Sequence, residues 1–417
     1  MLEETLRQFN PWWAKEFTPP GIQRPGYIQK IQHALDLRKV AVLVGLRRVG
    51  KTTIMKQFVG HALSTLPPDR IYFASMDHPG MERTPVTDIL REARRITAAR
   101  TDEEVLLLLD EIQHRDGFEQ EVKALVDVDE RVKIVASGSS SLALAHASPH
   151  LTGRYRRIPV RHLGFREFLS FRSQEYLEHE PQLMEALTDE YLLTGGMPEY
   201  VITGDPQTLT DVIEDVIYKD ICSRYDVQDP KLLKELYFLL MLRVGKRLSF
   251  SKMGRLVDVG VDTARRYVGY FEEAYLLDVI EREGPPNVRK ASPRKCYAPD
   301  NGICAIIAGE SNMGSLAENA VYLDLKEEGE VRYQLEKEGE IDFLVSGKAV
   351  EVKYWDQVKK EQIECLSRYK GRRVKEKYVV TRRAGPDMGN VNRIPLWRFL
   401  GNEGRHERLL RFPALQR

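Results

Sequence analysis

A chain of 417 residues is too long for one ordinary hydrophobic core, and its 42% hydrophobic content suits two or three packed domains. Charged residues make up 30%, yet the net charge is +1, so no single sign dominates and any nucleic-acid surface must be a local patch. Four scattered cysteines (Cys222, Cys296, Cys304, Cys365) without C-x-x-C spacing, the lack of an apolar run near ~18 residues and an acidic, polar start argue against zinc, disulfides, a membrane span and a secretory signal; buried thiols in a cytoplasmic protein are expected.

Residues 1–38 carry Asn10-Pro11-Trp12-Trp13, whose tryptophans are expected to cover an apolar edge of the next domain, and a helix over 28–37. Arg24 and Tyr27 precede that helix and read as packing residues, with contact of one of them to a nucleotide base as the alternative. Residues 40–44 read as a buried strand running into Gly45-Leu46-Arg47-Arg48-Val49-Gly50-Lys51-Thr52, which fits G-x-x-x-x-G-K-[ST], with a helix after it. A loop of this kind turns backbone N–H groups toward a phosphate chain at a helix N-terminus, which assigns Gly45, Arg47, Arg48, Val49, Gly50, Lys51, Thr52 and Thr53 to nucleotide binding. Lys51 would reach the β and γ phosphates, and Thr52 would hold Mg2+.

A β-rich run, Ile71-Tyr72-Phe73-Ala74-Ser75-Met76-Asp77, follows. The apolar run 105–109 then reads as a central parallel strand ending in Asp110-Glu111, with Asp110 expected on the metal and Glu111 as general base. A further strand, 132–136, leads into Ser137-Gly138-Ser139-Ser140, where Ser139 is either a γ-phosphate sensor or a helix N-cap. The basic segment 151–157 places Arg154 either as a charge-stabilising arginine, in its own or a neighbouring subunit, or in a solvated turn.

GLRRVGKTT, LLLLDEIQ, ASGSSS, LTGR and HLGFREFL together resemble the archaeal-type ATPase branch of the AAA+/STAND P-loop superfamily, over roughly residues 10–200. The resemblance implies ASCE-type topology, ATP in preference to GTP, and the roles given for Lys51, Thr52, Asp110, Glu111 and Arg154.

Residues 165–242 are helical in pattern, broken at Leu193-Thr194-Gly195-Gly196-Met197-Pro198-Glu199, with a new helix from Pro198. Helical patterns over 232–244, 251–256 and 262–275 and an extended 277–280 follow a winged-helix plan. Arg265, Arg266 and Tyr267 on its recognition helix, with Lys246 and Arg247 nearby, are the DNA-binding candidates; a protein-binding winged helix is the alternative.

The C-terminal part reads as a helix from about residue 315, strands 331–335, 341–345 and 349–353, a helix 357–369 and a strand 377–381, the core order of the PD-(D/E)xK nuclease fold. Asp342, Glu351 and Lys353, with Glu318 from the preceding helix, form the nuclease-like site, since two carboxylates can bind Mg2+ beside a lysine that orients water. The domain resembles the C-terminal region of unknown function usually joined to these ATPases. Arg382, Arg383, Arg393, Arg398, Arg405, Arg408 and Arg411 make a basic tail that lies along phosphates or is solvated.

The expected fold is α/β: a segment 1–38 packed on a P-loop ASCE parallel-sheet ATPase core (39–165), a helical lid (166–230), a winged-helix domain (231–300) and a C-terminal restriction-endonuclease-like domain (301–417). The expected function is an AAA+/STAND-type ATPase that uses ATP and Mg2+ and couples hydrolysis to binding or remodelling of duplex or branched DNA. An arginine acting from a neighbour would imply a homo-oligomer assembled on DNA or ATP. Two rival functions are an ATP-regulated, metal-dependent DNA nuclease and a STAND-like signalling switch with a protein-binding winged helix.

Overall fold

The computed structural model describes residues 2–138, 153–309, 312–355 and 357–401. The chain forms two compact units, one running to residue 161 and including 273–275, the other made of 162–272 and the chain from 276 on. Among the described residues no helix is long and apolar enough to cross a membrane.

The first unit is built on β1 (Val40–Val44), β2 (Ile71–Ser75), β3 (Val105–Asp110), β4 (Val132–Gly138) and β5 (Tyr155–Pro159). All four pairings are parallel, in the order β2-β3-β4-β1-β5. This fits a P-loop ATPase core, with β4 between the P-loop strand and the strand that ends in the two acids. The strands are near-continuous apolar runs because a parallel sheet is covered on both faces. Val40, Val42, Val44, Leu107, Leu109, Ile134 and Ala136 meet Ile89 and Ala93 of the helix Val86–Thr97 and Val122 of the helix Phe118–Val128 in one core cluster. Tyr155 to Arg157, expected as part of a basic turn, instead form edge strand β5, where only Ile158 is buried.

The other edge, β2, is covered by the N-terminal segment through directed hydrogen bonds. Asn10 is 1% exposed; its Nδ2 donates to Phe73 O at 2.9 Å and its Oδ1 accepts from Phe73 N at 2.6 Å, as a neighbouring strand would. Both indoles, Trp12 and Trp13, donate to Ile71 O at 2.9 and 3.0 Å. An open edge is a template for pairing with another chain. Asn10→Ala leaves the Phe73 amide and carbonyl unsatisfied, so it is expected to lower stability by about 1–3 kcal/mol and to promote aggregation. A denaturant midpoint equal to that of the wild type would contradict this edge-covering role.

The second unit contains two sheets. β6 (Arg247–Leu248), β7 (Asp278–Ile280) and β8 (Arg294–Tyr297) pair antiparallel in the order β6-β8-β7. They accompany the helices Pro230–Met241, Phe250–Leu256 and Val261–Glu273, the first two N-capped by Asp229 and Ser249. The larger sheet joins β9 (Arg332–Glu336), β10 (Gly339–Val345), β11 (Lys348–Lys353), β12 (Glu376–Thr381) and β13 (Asn392–Pro395) in the order β13-β12-β11-β10-β9. The β9-β10-β11 pairings are antiparallel, whereas β12 and β13 continue parallel to β11. The helix expected over 357–369 is shorter: a 3-10 turn Lys360–Ile363 leads into the helix Glu364–Arg368.

The boundaries drawn at 230 and 300 fall inside this unit, because side chains from distant segments share its interior. Trp397 belongs to one core with Phe165, Phe168 and Tyr191, and Arg382 pairs with Asp189 at 2.6 Å. At the Gly195-Gly196 break, the amide of Gly196 donates to Asp300 Oδ2 at 2.6 Å, while Asp300 Oδ1 accepts from Gly302 and Ile303 at the start of the helix Asn301–Ala308. Burial pushes the Asp300 carboxyl up to about 6 against these three N–H bonds.

Candidate nucleotide site and carboxylate cluster

β1 delivers the chain into a loop that must pass close to another backbone. Gly45 has φ +152°, and a Cβ on it would lie 2.1 Å from Val160 O, so only glycine fits there. The loop ends at Gly50 in the left-handed region, and the helix Lys51–Ala62 starts immediately after it. Lys51 is 4% exposed, with Nζ folded onto the loop carbonyls of Gly45 and Leu46 at 3.1 and 3.0 Å. Arg24, also buried, stacks on Tyr27 and donates to Val49 O at 3.2 Å, bracing the loop from outside.

At the C-terminal end of the sheet, Thr52 Oγ1 donates to Asp110 Oδ2 at 2.7 Å. Asp110 Oδ1 accepts from the Ser137 hydroxyl, and the same hydroxyl accepts from the Glu111 amide at 3.1 Å. Ser137 therefore positions both acids from β4. It was not singled out from the sequence; the signal was a polar residue ending a strand that the ASCE order places beside both the P-loop strand and β3. Ser139, the expected sensor, lies outside the described residues, as do Arg405, Arg408 and Arg411. Glu111 sits at φ +49°, a conformation uncommon for a non-glycine residue. Burial raises the Asp110 carboxyl above its ordinary range, with the Ser137 and Thr52 bonds pulling against it. A cation beside Thr52 and Asp110 would favour the ionised form, so this hydroxyl–carboxylate pair fits a Mg2+ ion.

Arg154 does not fit its expected place in its own subunit. Its carbonyl pairs with Val40 at the start of β1, and Tyr155 is in register with Val40. It therefore lies one strand length, roughly 16 Å, from the P-loop, where its side chain pairs with Asp127 at 2.6 Å.

In the second unit the four nuclease-like residues come together. Asp342 lies on β10 at an irregularity between Ile341 and Leu344, and its amide donates to Glu351 Oε2 at 3.3 Å. Val352 N donates to Asp342 Oδ2 at 3.0 Å, and Lys353 pairs with Glu351. Glu318 faces the same cluster from the helix Met313–Leu325. Burial, and then the Asp342 charge, push the Glu318 and Glu351 carboxyls above the usual range, against the pull of Lys295 and Lys353. Lys295 and Glu340, both part of this cluster, were not legible as members of it: one arrives from β8, the other precedes the strand residue that was read.

The DNA-binding candidates do not share one role. Tyr267 is a correction: with Ala264, Val268 and Phe271 it occupies the buried 3–4 spaced face of its helix and is 8% exposed. Arg265 and Arg266 lie on the outer face, Arg265 paired with Asp262 at 3.2 Å and packed over Phe250. Lys246 is exposed, whereas Arg247 pairs with Glu340 at 3.0 Å. The thiols are free, Cys296 and Cys304 buried, Cys222 and Cys365 only half-buried.

Residues 37–169 match a family model described as an AAA domain, and residues 185–313 match a domain of unknown function, DUF8612. The chain is 25% identical over 342 residues to an uncharacterized protein of Methanocaldococcus jannaschii, covering 77% of this chain and 75% of that one. It is likewise 25% identical over 352 residues to an uncharacterized protein of Haemophilus influenzae, covering 80% and 86%. Among solved structures, the Walker-type ATPase of Pyrococcus abyssi aligns over 71% of this chain and 99% of that one, with a TM-score of 0.43 and 11% identity. AMPPCP-bound DnaA from Aquifex aeolicus aligns over 64% and 92%, with a TM-score of 0.32 and 16% identity. The likeness to AAA domains is thus carried by residues 37–169, the segment that holds the parallel sheet and the glycine-bounded loop.

Proposed function

We propose that this protein is a Mg2+-dependent ATP hydrolase that couples its nucleotide cycle to DNA binding. The observation that carries the hydrolase reading is the set Thr52, Asp110, Ser137 and Glu111, joined by hydrogen bonds at the mouth of a glycine-bounded loop. Loop amides from Gly45 to Thr53, including those of Arg47, Arg48 and Val49, would cradle the phosphates, and Lys51 would exchange its carbonyl contacts for the β and γ phosphates. Thr52 and Asp110 would hold Mg2+, which neutralises charge developing on the transferred phosphoryl group. Glu111 would accept the proton of the attacking water, with its backbone held in place by Ser137. In a low-dielectric pocket such preorganised groups need little rearrangement at the moment of reaction.

DNA binding is supported by the order helix, β6, helix, helix, β7, β8, with a short helix Pro286–Ala291 inserted between the last two strands of this winged-helix plan, and by the exposed Arg265 and Arg266 on its third helix. The pairing of Arg265 with Asp262 and of Arg247 with Glu340 weakens that basic surface and favours, as a second reading, a protein-binding switch. The deciding measurement is ATP turnover with and without duplex, single-stranded and four-way-junction DNA, alongside anisotropy titrations. One DNA form is expected to stimulate turnover, and Arg265→Glu with Arg266→Glu to weaken its binding roughly tenfold or more and flatten the salt dependence. Turnover indifferent to all three DNA forms, with no binding at low salt, would transfer the assignment to the protein-binding switch.

A further inference from the structure

The nuclease-like arrangement implies a divalent ion held between Asp342 and Glu351, and the side chains present do not fit one. All four oxygens of these two carboxylates already face proton donors: Asp342 Oδ1 faces Lys295 Nζ at 3.4 Å, Asp342 Oδ2 the Val352 amide at 3.0 Å, Glu351 Oε2 the Asp342 amide at 3.3 Å, and Glu351 Oε1 the Lys353 ammonium. Among the described residues no group of three or more His, Cys, Asp or Glu is arranged to hold a metal ion.

Lys295 is the decisive residue. It enters from β8, is 1% exposed, and also lies 2.8 Å from Glu318 Oε1 and 2.8 Å from Glu340 Oε1. An ammonium has three N–H donors, and three carboxylate oxygens surround it, one from the helix Met313–Leu325 and two from β10. The surroundings close the position further: the Tyr297 hydroxyl donates to Glu318 Oε1 at 2.8 Å, its ring stacks on Tyr322, and a Cβ on Gly245 would lie 2.9 Å from the Glu318 carboxylate. Mg2+ needs oxygen ligands at about 2.0–2.1 Å in an octahedron and normally keeps several waters, so it could enter only by expelling a buried lysine.

We propose that Lys295 is the resident cation of this cluster, taking the place a divalent ion would need, so that the protein performs no metal-dependent strand cleavage there. The cluster instead ties β8 to β10 and to the helix Met313–Leu325. This inference stands apart from the ATPase reading, since it involves none of the P-loop residues.

The test counts Mn2+ bound to the nucleotide-free full-length chain by electron paramagnetic resonance. Wild type and Asp342→Asn are expected to bind the same number of ions. Lys295→Met, which removes the charge and keeps the stem, is expected to bind one more. Lys295→Met with Asp342→Asn should lose that ion, and Lys295→Arg should not gain it. A count that falls when Asp342 is changed in the wild type, or a folded Lys295→Met that gains no ion, overturns the proposal. Should Lys295→Met not fold, the wild-type and Asp342→Asn counts decide it.

Discussion

Lys51→Ala is expected to leave less than about one hundredth of the wild-type ATP turnover and to weaken nucleotide binding, whereas Glu111→Gln should lose turnover as severely while retaining the nucleotide. The difference follows from where the two side chains sit. Lys51 is buried against the carbonyls of Gly45 and Leu46, inside the loop that would surround the phosphates, so it would contribute to binding and to transition-state charge alike. Glu111 lies beyond the end of β3 and is held by its backbone to Ser137 instead of by the loop, so in the proposed base role its carboxylate would act on the water and not on nucleotide affinity. General-base removal typically costs 10²–10⁴-fold, and Gln preserves the shape. Nucleotide affinity would be followed with a fluorescent ATP analogue and turnover by phosphate release. A Glu111→Gln protein that hydrolyses ATP at more than about a tenth of the wild-type rate would remove Glu111 from the base role.

Gly196→Ala is expected to destabilise the second unit by about 3 kcal/mol, lowering its unfolding temperature by roughly 6–12 °C. The cause is steric and local. A Cβ there would lie 2.2 Å from Leu163 O and 2.8 Å from both His162 Nδ1 and Leu163 N, and Leu163 N is already bonded to Gly196 O at 2.7 Å. Two of those neighbours are backbone atoms of a paired segment and cannot swing aside. The amide of Gly196 also donates to Asp300, so any retreat of the loop would break the bond that joins the glycine break to the helix Asn301–Ala308. Calorimetry would resolve the loss; a shift under about 1 °C would mean that the joint is looser than its distances require.

The P-loop was legible because its chemistry is local: two glycines, a lysine and a threonine within eight residues, between a buried strand and a helix. The acids of β3 were legible for the same reason, standing at the end of an apolar run that only a covered parallel strand would carry. The nuclease-like residues could also be read, since the two-residue period of β11 puts Glu351 and Lys353 on one face.

Other features depend on residues that meet only after folding. Tyr267 stands beside two arginines in sequence, but the phase of its helix turns it inward toward Phe271. Arg154 follows the nucleotide core in sequence, yet the parallel register of β5 carries it to the far end of the sheet. Ser137 lies 27 positions from Asp110, and the insertion of β4 between β1 and β3 is what unites them.

By itself, then, the sequence carried the P-loop motif and most of the elements around it, since these depend on spacing within one strand, loop or helix, whereas the edge strands β5 and β13 were not legible in it. Tertiary structure alone decided the filling of the carboxylate cluster and the joining of Gly196 to Asp300. Lys295 is 47 residues from Asp342, and no periodicity in either strand reveals that an ammonium from one sheet ends among the carboxylates of the other. Long-range electrostatic pairing depends on distance in space, which the chain acquires only when its separate elements pack.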